Sequence, residues 1–185
     1  MQLLGISGKA GSGKTTLSEV LVENGYVKRS FAEDIKWIGH RYAKIPLDKK
    51  GEKERIFYQG LGDLLRGYNP MILVDKMQDS LKWYLTEESY KNRRYKAEHK
   101  IVIDDVRYSE HCGEAEADLI RNLNGIMIHL DGGYDLGKLG EHSTEKPLTR
   151  KPNDIILSFP RFNSKDVFKE AVTEELIRLG FVVVN

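Results

Sequence analysis

Gly8-Lys9-Ala10-Gly11-Ser12-Gly13-Lys14-Thr15 matches G-x-x-x-x-G-K-[ST], the phosphate-binding P-loop. Its flanks fit the same reading. Leu3, Leu4 and Ile6 make a short apolar strand before it. Leu17, Val20, Leu21 and Val22 lay an apolar stripe on a helix after it, ending near Asn24-Gly25. Glycines let backbone N–H groups turn inward around a phosphate, and the helix N-terminus adds partial positive charge. The expected triphosphate contacts are Gly8, Ala10, Gly11, Ser12, Gly13, Lys14, Thr15 and Thr16. Lys14 would reach the β- and γ-phosphates, and the Thr15 hydroxyl would hold Mg²⁺.

Working outward, the chain alternates strands and helices. The pattern predicts β at 2–6, α at 14–24, a short β near Tyr26–Arg29, and α at about 31–43. A charged turn at Pro46–Glu54 leads to two helical stretches, about 54–66 and 70–85. Ile101-Val102-Ile103 is a buried strand, Ser109 can cap a helix running to about Asn124, and Gly125 breaks it. Ile126 to Leu130 and Ile155 to Leu157 are further strands. Ser164 to Leu179 is an amphipathic helix, and Phe181 to Val184 is expected as a closing edge strand. Unbroken apolar strands between helices imply an α/β fold, a parallel sheet covered on both faces. Ligands then bind at the carboxyl ends of the strands.

The 185 residues suit one domain, or one domain with a small insert, and the net charge of +1 gives no global field for nucleic acid or a membrane surface. The densest basic stretch, Lys91 to Lys100, reads as a solvated helix end or loop. The single cysteine, Cys112, rules out an intramolecular disulfide. It is expected on a helical face with Ala115, Leu119 and Leu123, as a small core residue. The chain opens on a strand and no apolar run reaches membrane-spanning length, so a cytoplasmic setting is expected.

A second chemical element is Ile101-Val102-Ile103-Asp104-Asp105-Val106-Arg107, an apolar strand running into two carboxylates and an arginine. A P-loop enzyme needs a carboxylate near the Thr15 hydroxyl for Mg²⁺. Strand alternation puts Asp104 and Asp105 on opposite faces, so one of them is expected to face the metal; Asp105 is the candidate named, and the choice between the two stays open. Arg107 can clamp a phosphate.

The P-loop, Asp105-Val106-Arg107-Tyr108, Gln59-x-Leu61-Gly62-Asp63-x-x-Arg66 and His142-Ser143-Thr144-Glu145 together resemble the bacteriophage-type deoxynucleoside monophosphate kinases, over about residues 1–160. The resemblance implies a three-layer P-loop kinase fold. It also implies a helical acceptor-binding region over about 31–95 and a glycine-rich lid over about 131–150. It implies ATP as donor, Mg²⁺, and a nucleoside 5′-monophosphate as acceptor. Lys14, Asp105 and Arg107 would be catalytic, while Arg66, Lys36, Gln59 and Arg107 would bind the acceptor. His142 and Glu145 would belong to the lid. Asp131 to Pro147 holds no arginine, so the nearby Lys138, Lys146 and Arg150, or Arg107 and Arg121, are the cations available to the lid. Trp37 and Tyr68 are expected in core or lid packing. Two other readings stand beside this one: a P-loop kinase for another small acceptor such as dephospho-coenzyme A, and a nucleotide-dependent switch. Base preference stays open, as does the choice between monomer and homodimer.

Overall fold

A computed structural model of the chain describes residues 2–46, 51–85, 100–132 and 146–183. In chain order the elements are β1 (Gln2–Gly8), α1 (Lys14–Glu23), β2 (Val27–Arg29), α2 (Glu33–Ala43), α3 (Glu52–Tyr68) and α4 (Ile72–Leu85). Then come β3 (Lys100–Ile103), α5 (Ala115–Asn122), β4 (Ile126–Asp131), β5 (Ile155–Ser158) and α6 (Lys165–Arg178). The five strands form one sheet in the order β2-β3-β1-β4-β5, every pair parallel.

Alternation along the strands sorts the apolar residues into two cores. Leu3, Ile101, Ile103 and Met127 face one side, where Phe31 and Ile35 (near and on α2), Leu73, Met77 and Leu81 (α4) and Ile120 (α5) cover them. Leu4, Ile6, Val102, Ile128 and Leu130 face the other, beneath Leu17, Val20 and Leu21 of α1 and Val172 and Leu176 of α6. α3 adds Tyr58, Leu61 and Leu65 at the margin of the first core. The result is a parallel sheet between two helical layers, the α/β arrangement expected from the sequence. β1 is central and is completely consumed by packing: Leu4 and Ile6 are fully buried.

The expected helix from Ser109 begins later. Ser109 and Gly113 exchange backbone hydrogen bonds of 2.9 and 2.7 Å, and Gly113 takes φ +63°. That left-handed residue closes a small turn, so helical geometry starts only at Ala115. Cys112 lies in this turn, half-buried, and not on a helical face. The expected edge strand at the end does not form over 181–183. Phe181 and Val182 instead tuck into the α1–α6 core, held by N–H bonds back to the Leu176 carbonyl. Trp37 and Tyr68 are also not core residues: they are 55% and 89% exposed, Trp37 lying edge-on to Tyr42 on the outer side of α2. Among the described residues no helix is long and apolar enough to cross a membrane.

Ile128 is fully buried at the centre of the sheet. Ile128→Ala should destabilise the fold by about 2–5 kcal/mol, read from urea unfolding followed by far-UV circular dichroism.

Candidate active site

The glycine turn leaves the carboxyl end of β1 and enters α1. Gly8, Gly11 and Gly13 have φ of +150°, +72° and +98°, values that side chains at these positions would strain. Space demands glycine as well. A Cβ on Gly8 would sit 2.7 Å from both the Leu130 carbonyl oxygen and Ser12 Oγ. A Cβ on Gly13 would sit 2.3 Å from Phe168 Cζ. Phe168 is itself braced by Phe159 and Phe162, at ring centroid distances of 5.3 and 5.6 Å. Gly13 is the N-cap of α1; it supplies no side-chain cap, and the first turn carries no acidic residue. The amides and partial positive charge of that end are therefore available to an anion. Ser12 Oγ is buried with no hydrogen-bond partner among the described residues. Lys14 folds back over the turn, its Nζ donating to the carbonyls of Gly8 (2.5 Å) and Lys9 (2.6 Å). This cradle fits a polyphosphate: an orphaned hydroxyl, an uncapped helix end, and an ammonium resting on neutral carbonyls.

β3 pairs directly with β1, so the Asp104-Asp105-Val106-Arg107 exit emerges beside the P-loop. The Val106 N–H reaches the Ile6 carbonyl at 3.2 Å and fixes that juxtaposition. The two aspartates do diverge. Asp104 turns toward α1, accepting from Ser18 Oγ at 3.5 Å and pairing with Lys28. Ser18 is one turn beyond Thr15 and bonds its carbonyl at 2.9 Å. Asp105 turns the other way. It accepts from Ser30 Oγ (2.5 Å), the Phe31 N–H (2.8 Å) and the Ala32 N–H (3.0 Å), which clamps the entry to α2. The structure therefore brings Asp104, not Asp105, against the P-loop helix. Among the described residues no three His, Cys, Asp or Glu side chains gather as a metal cluster. Mg²⁺ suits such a place, because it commonly takes one or two carboxylates plus substrate phosphates and water.

The expected acceptor residues lie on α2, on α3 and at the exit of β3. Lys36 Nζ donates to Ser30 Oγ at 3.1 Å and so joins the Asp105 clamp. Arg66, only 7% exposed, donates to Glu116 Oε1 at 2.9 Å. The backbone N–H of Arg107 donates to Glu116 Oε2, also at 2.9 Å. Gln59 lies two turns before Arg66 on α3, and its Nε2 is buried with no partner among the described residues. Of the candidate lid cations, Lys146 pairs with Glu110 at 3.0 Å and lies over the Tyr108 ring, and Arg150 pairs with Asp131. Arg121 is taken up by Asp154 at 2.6 Å. His142, Glu145 and Lys138 lie outside the described residues.

Glu116 was not singled out from sequence, although it organises this side. Its signal was an acid inside an apolar helical stripe, with Ile120 and Leu123 one and two turns on. Burial pushes its carboxyl up to about 7, and the nearby Asp105 adds to this, against the pull of Arg66 and the Arg107 N–H. The folded protein thus holds this proton more tightly than the unfolded chain, whose value is near 4.5. The stability it contributes is full below about pH 4.5 and is lost as pH rises through about 7. Glu116→Gln cannot ionise. Urea unfolding across this pH range should show wild-type stability falling relative to the variant, with a slope of at most about 1.4 kcal/mol per pH unit.

No protein-family profile matches the chain. Two solved structures are similar: an unliganded sugar kinase from a Janibacter species and a gluconokinase from Sinorhizobium meliloti. The first has 14% identity and a TM-score of 0.44, covering 100% of this chain and 99% of that one. The second has 12% identity and a TM-score of 0.46, covering 96% and 93%. A protein of Acanthamoeba polyphaga mimivirus that carries the name deoxynucleotide monophosphate kinase is 30% identical over 149 residues, spanning 71% of this chain and 74% of that one. At that identity and coverage, with its glycine turn and its Asp-Asp-Val-Arg exit on adjacent strands, the chain belongs to the deoxynucleotide monophosphate kinase family of P-loop phosphotransferases.

Proposed function

We propose that the protein transfers the γ-phosphoryl group of ATP to a deoxynucleoside 5′-monophosphate, giving ADP and the deoxynucleoside diphosphate. The observation that carries this reading is the adjacency of two anion-receiving elements at the carboxyl edge of the sheet. One is the glycine turn after β1. The other is the cluster of Lys36, Ser30, Asp105, Glu116, Arg66 and Arg107 around the exit of β3.

The P-loop amides, Ser12 and Lys14 would hold the triphosphate. Lys14 would exchange the Gly8 and Lys9 carbonyls for phosphate oxygens, a stronger charge-assisted pairing. Thr15 and a carboxylate would hold Mg²⁺, Asp104 being the one on the P-loop side and Asp105 the one that shapes the acceptor loop. When bound, Mg²⁺ supplies charge neutralisation on the transferring group. Arg66, oriented by Glu116, and Arg107 would take the acceptor phosphate. Lys36 and Gln59 would line its approach, with His142 and Glu145 closing over it as lid residues. An acceptor phosphate oxygen is already anionic near neutral pH, so the protein needs no strong general base. Its task is in-line positioning and electrostatic stabilisation. In the reaction the new bond forms from that oxygen to the γ-phosphorus as the bond to the β-phosphate oxygen breaks.

The test is chromatography of products after incubating the protein with Mg–ATP and each common deoxy- and ribonucleoside monophosphate. A diphosphate product from at least one deoxy acceptor is expected. ATP hydrolysis without a phosphorylated acceptor, or phosphorylation of a non-nucleotide alone, would overturn the proposal. Lys14→Ala should lower turnover by about a hundredfold or more with the circular dichroism spectrum unchanged. Near-normal turnover would remove Lys14 from the site.

A further inference from the structure

One buried polar chain has no part in the transfer described above. Ser7 is the residue of β1 that leads into Gly8, and its Oγ lies 2.8 Å from His129 Nδ1 on β4. His129 Nε2 lies 2.9 Å from Asp154 Oδ2, just before β5. Asp154 also accepts from Arg121 at 2.6 Å and from the Lys151 N–H at 2.8 Å. Ser7 and His129 are each 5% exposed, and the Asp154 side chain is 3% exposed.

The hydrogens of this chain follow from the acid. Burial alone would raise the Asp154 carboxyl, but the hydrogen bonds from Arg121, Lys151 and His129 override it and bring it down to about 2. Asp154 is therefore an ionised acceptor. In the neutral imidazole the proton must sit on Nε2, which donates to Asp154. Nδ1 is then a lone pair, and the Ser7 hydroxyl donates to it. The residue types are those of a serine hydrolase, but here serine sits on Nδ1 and the acid on Nε2, and Ser7 is sealed beneath the glycine turn. No substrate carbonyl can reach it, so a nucleophilic role is excluded.

What the chain can do is fix geometry. Ser7 pairs with His129 and Gly8 with Leu130 in the β1–β4 register. The Gly8 carbonyl is one of the two on which Lys14 rests. Gly8 already passes so close to the Leu130 carbonyl that a Cβ there would lie at 2.7 Å. A shift of Ser7 therefore passes directly to the Gly8 carbonyl and to the Lys14 ammonium.

We infer that His129 is a positioning residue for the donor phosphates: through Ser7 it sets the direction in which β1 enters the glycine turn, and through Asp154 it ties that direction to the 149–154 segment. The inference rests on the reading that the turn binds Mg–ATP. It assigns to this chain the donor side of the site and not the acceptor side.

Calorimetric titration of Mg–ATP into wild type, Ser7→Ala, His129→Leu and His129→Asn tests it without turnover. Ser7→Ala is a small change that keeps the His129–Asp154 pair and should fold. It should weaken Mg–ATP binding about tenfold, which corresponds to about 1.4 kcal/mol. His129→Leu should match or exceed that loss. His129→Asn, whose amide can still accept from Ser7, should recover most of the affinity. In steady state the ATP KM should rise with the dissociation constant, while the KM of the best nucleotide acceptor stays within about twofold. Ser7→Ala binding Mg–ATP like wild type, or losing donor and acceptor affinity equally, overturns the inference alone. Wild type that binds no Mg–ATP overturns it together with the proposed function.

Discussion

Both edges of β1 are hydrogen-bonded, to β3 on one side and β4 on the other, and both of its faces are packed. A strand held this way cannot slide or tilt. The glycine turn that follows is therefore presented by a strand fixed on both edges and both faces, although the turn itself is built of residues with permissive backbone. Phe168 presses on Gly13 from below and the Leu130 carbonyl crowds Gly8 from the side. The cradle keeps its shape because its surroundings leave no room for another one.

The polar groups that serve the site are arranged by the same sheet. On the α2–α5 face, Glu116 draws together a side chain of α3 and the backbone after β3, and Asp105 holds the entry to α2. Each of these acids satisfies groups that would otherwise be buried without partners, which costs far more than the bonds themselves contribute. Asp104, on the opposite face, ties β3 to α1 and to β2 through Ser18 and Lys28. Two consecutive aspartates thus serve opposite faces of the sheet, as the pleat of a strand requires.

The parts legible in sequence were those whose meaning is local. The P-loop is contiguous, its strand and helix flank it directly, and a parallel sheet follows from apolar runs between helical periods. The divergence of Asp104 and Asp105 also follows from alternation, but which of them meets α1 does not, because strand polarity alone does not say which face a helix covers. Glu116 and Arg66 are 50 residues apart, and Ser7 and His129 are 122 apart. No spacing rule links such pairs; only the crossover order of the sheet does. The late start of α5 was hidden because Ser109 is an acceptable helix cap, and only Gly113 in the left-handed region shows that a turn wins there. The exposure of Trp37 and Tyr68 was equally illegible, since an aromatic on a helix says nothing of whether another layer lies outside it.

The sheet order has a consequence for biosynthesis. β1 is made first, yet its neighbours begin at Lys100 and Ile126. At ribosomal speeds of about 5–20 residues per second, the nascent strand waits on the order of ten seconds for its second neighbour. Until Lys100 is made, Leu3, Leu4 and Ile6 have neither of their sheet partners. Helices α1 to α4 are made before Lys100 and can cover the strand's faces, but none of them closes its edges. The strand that ends with both edges paired therefore spends much of the chain's synthesis with both edges open.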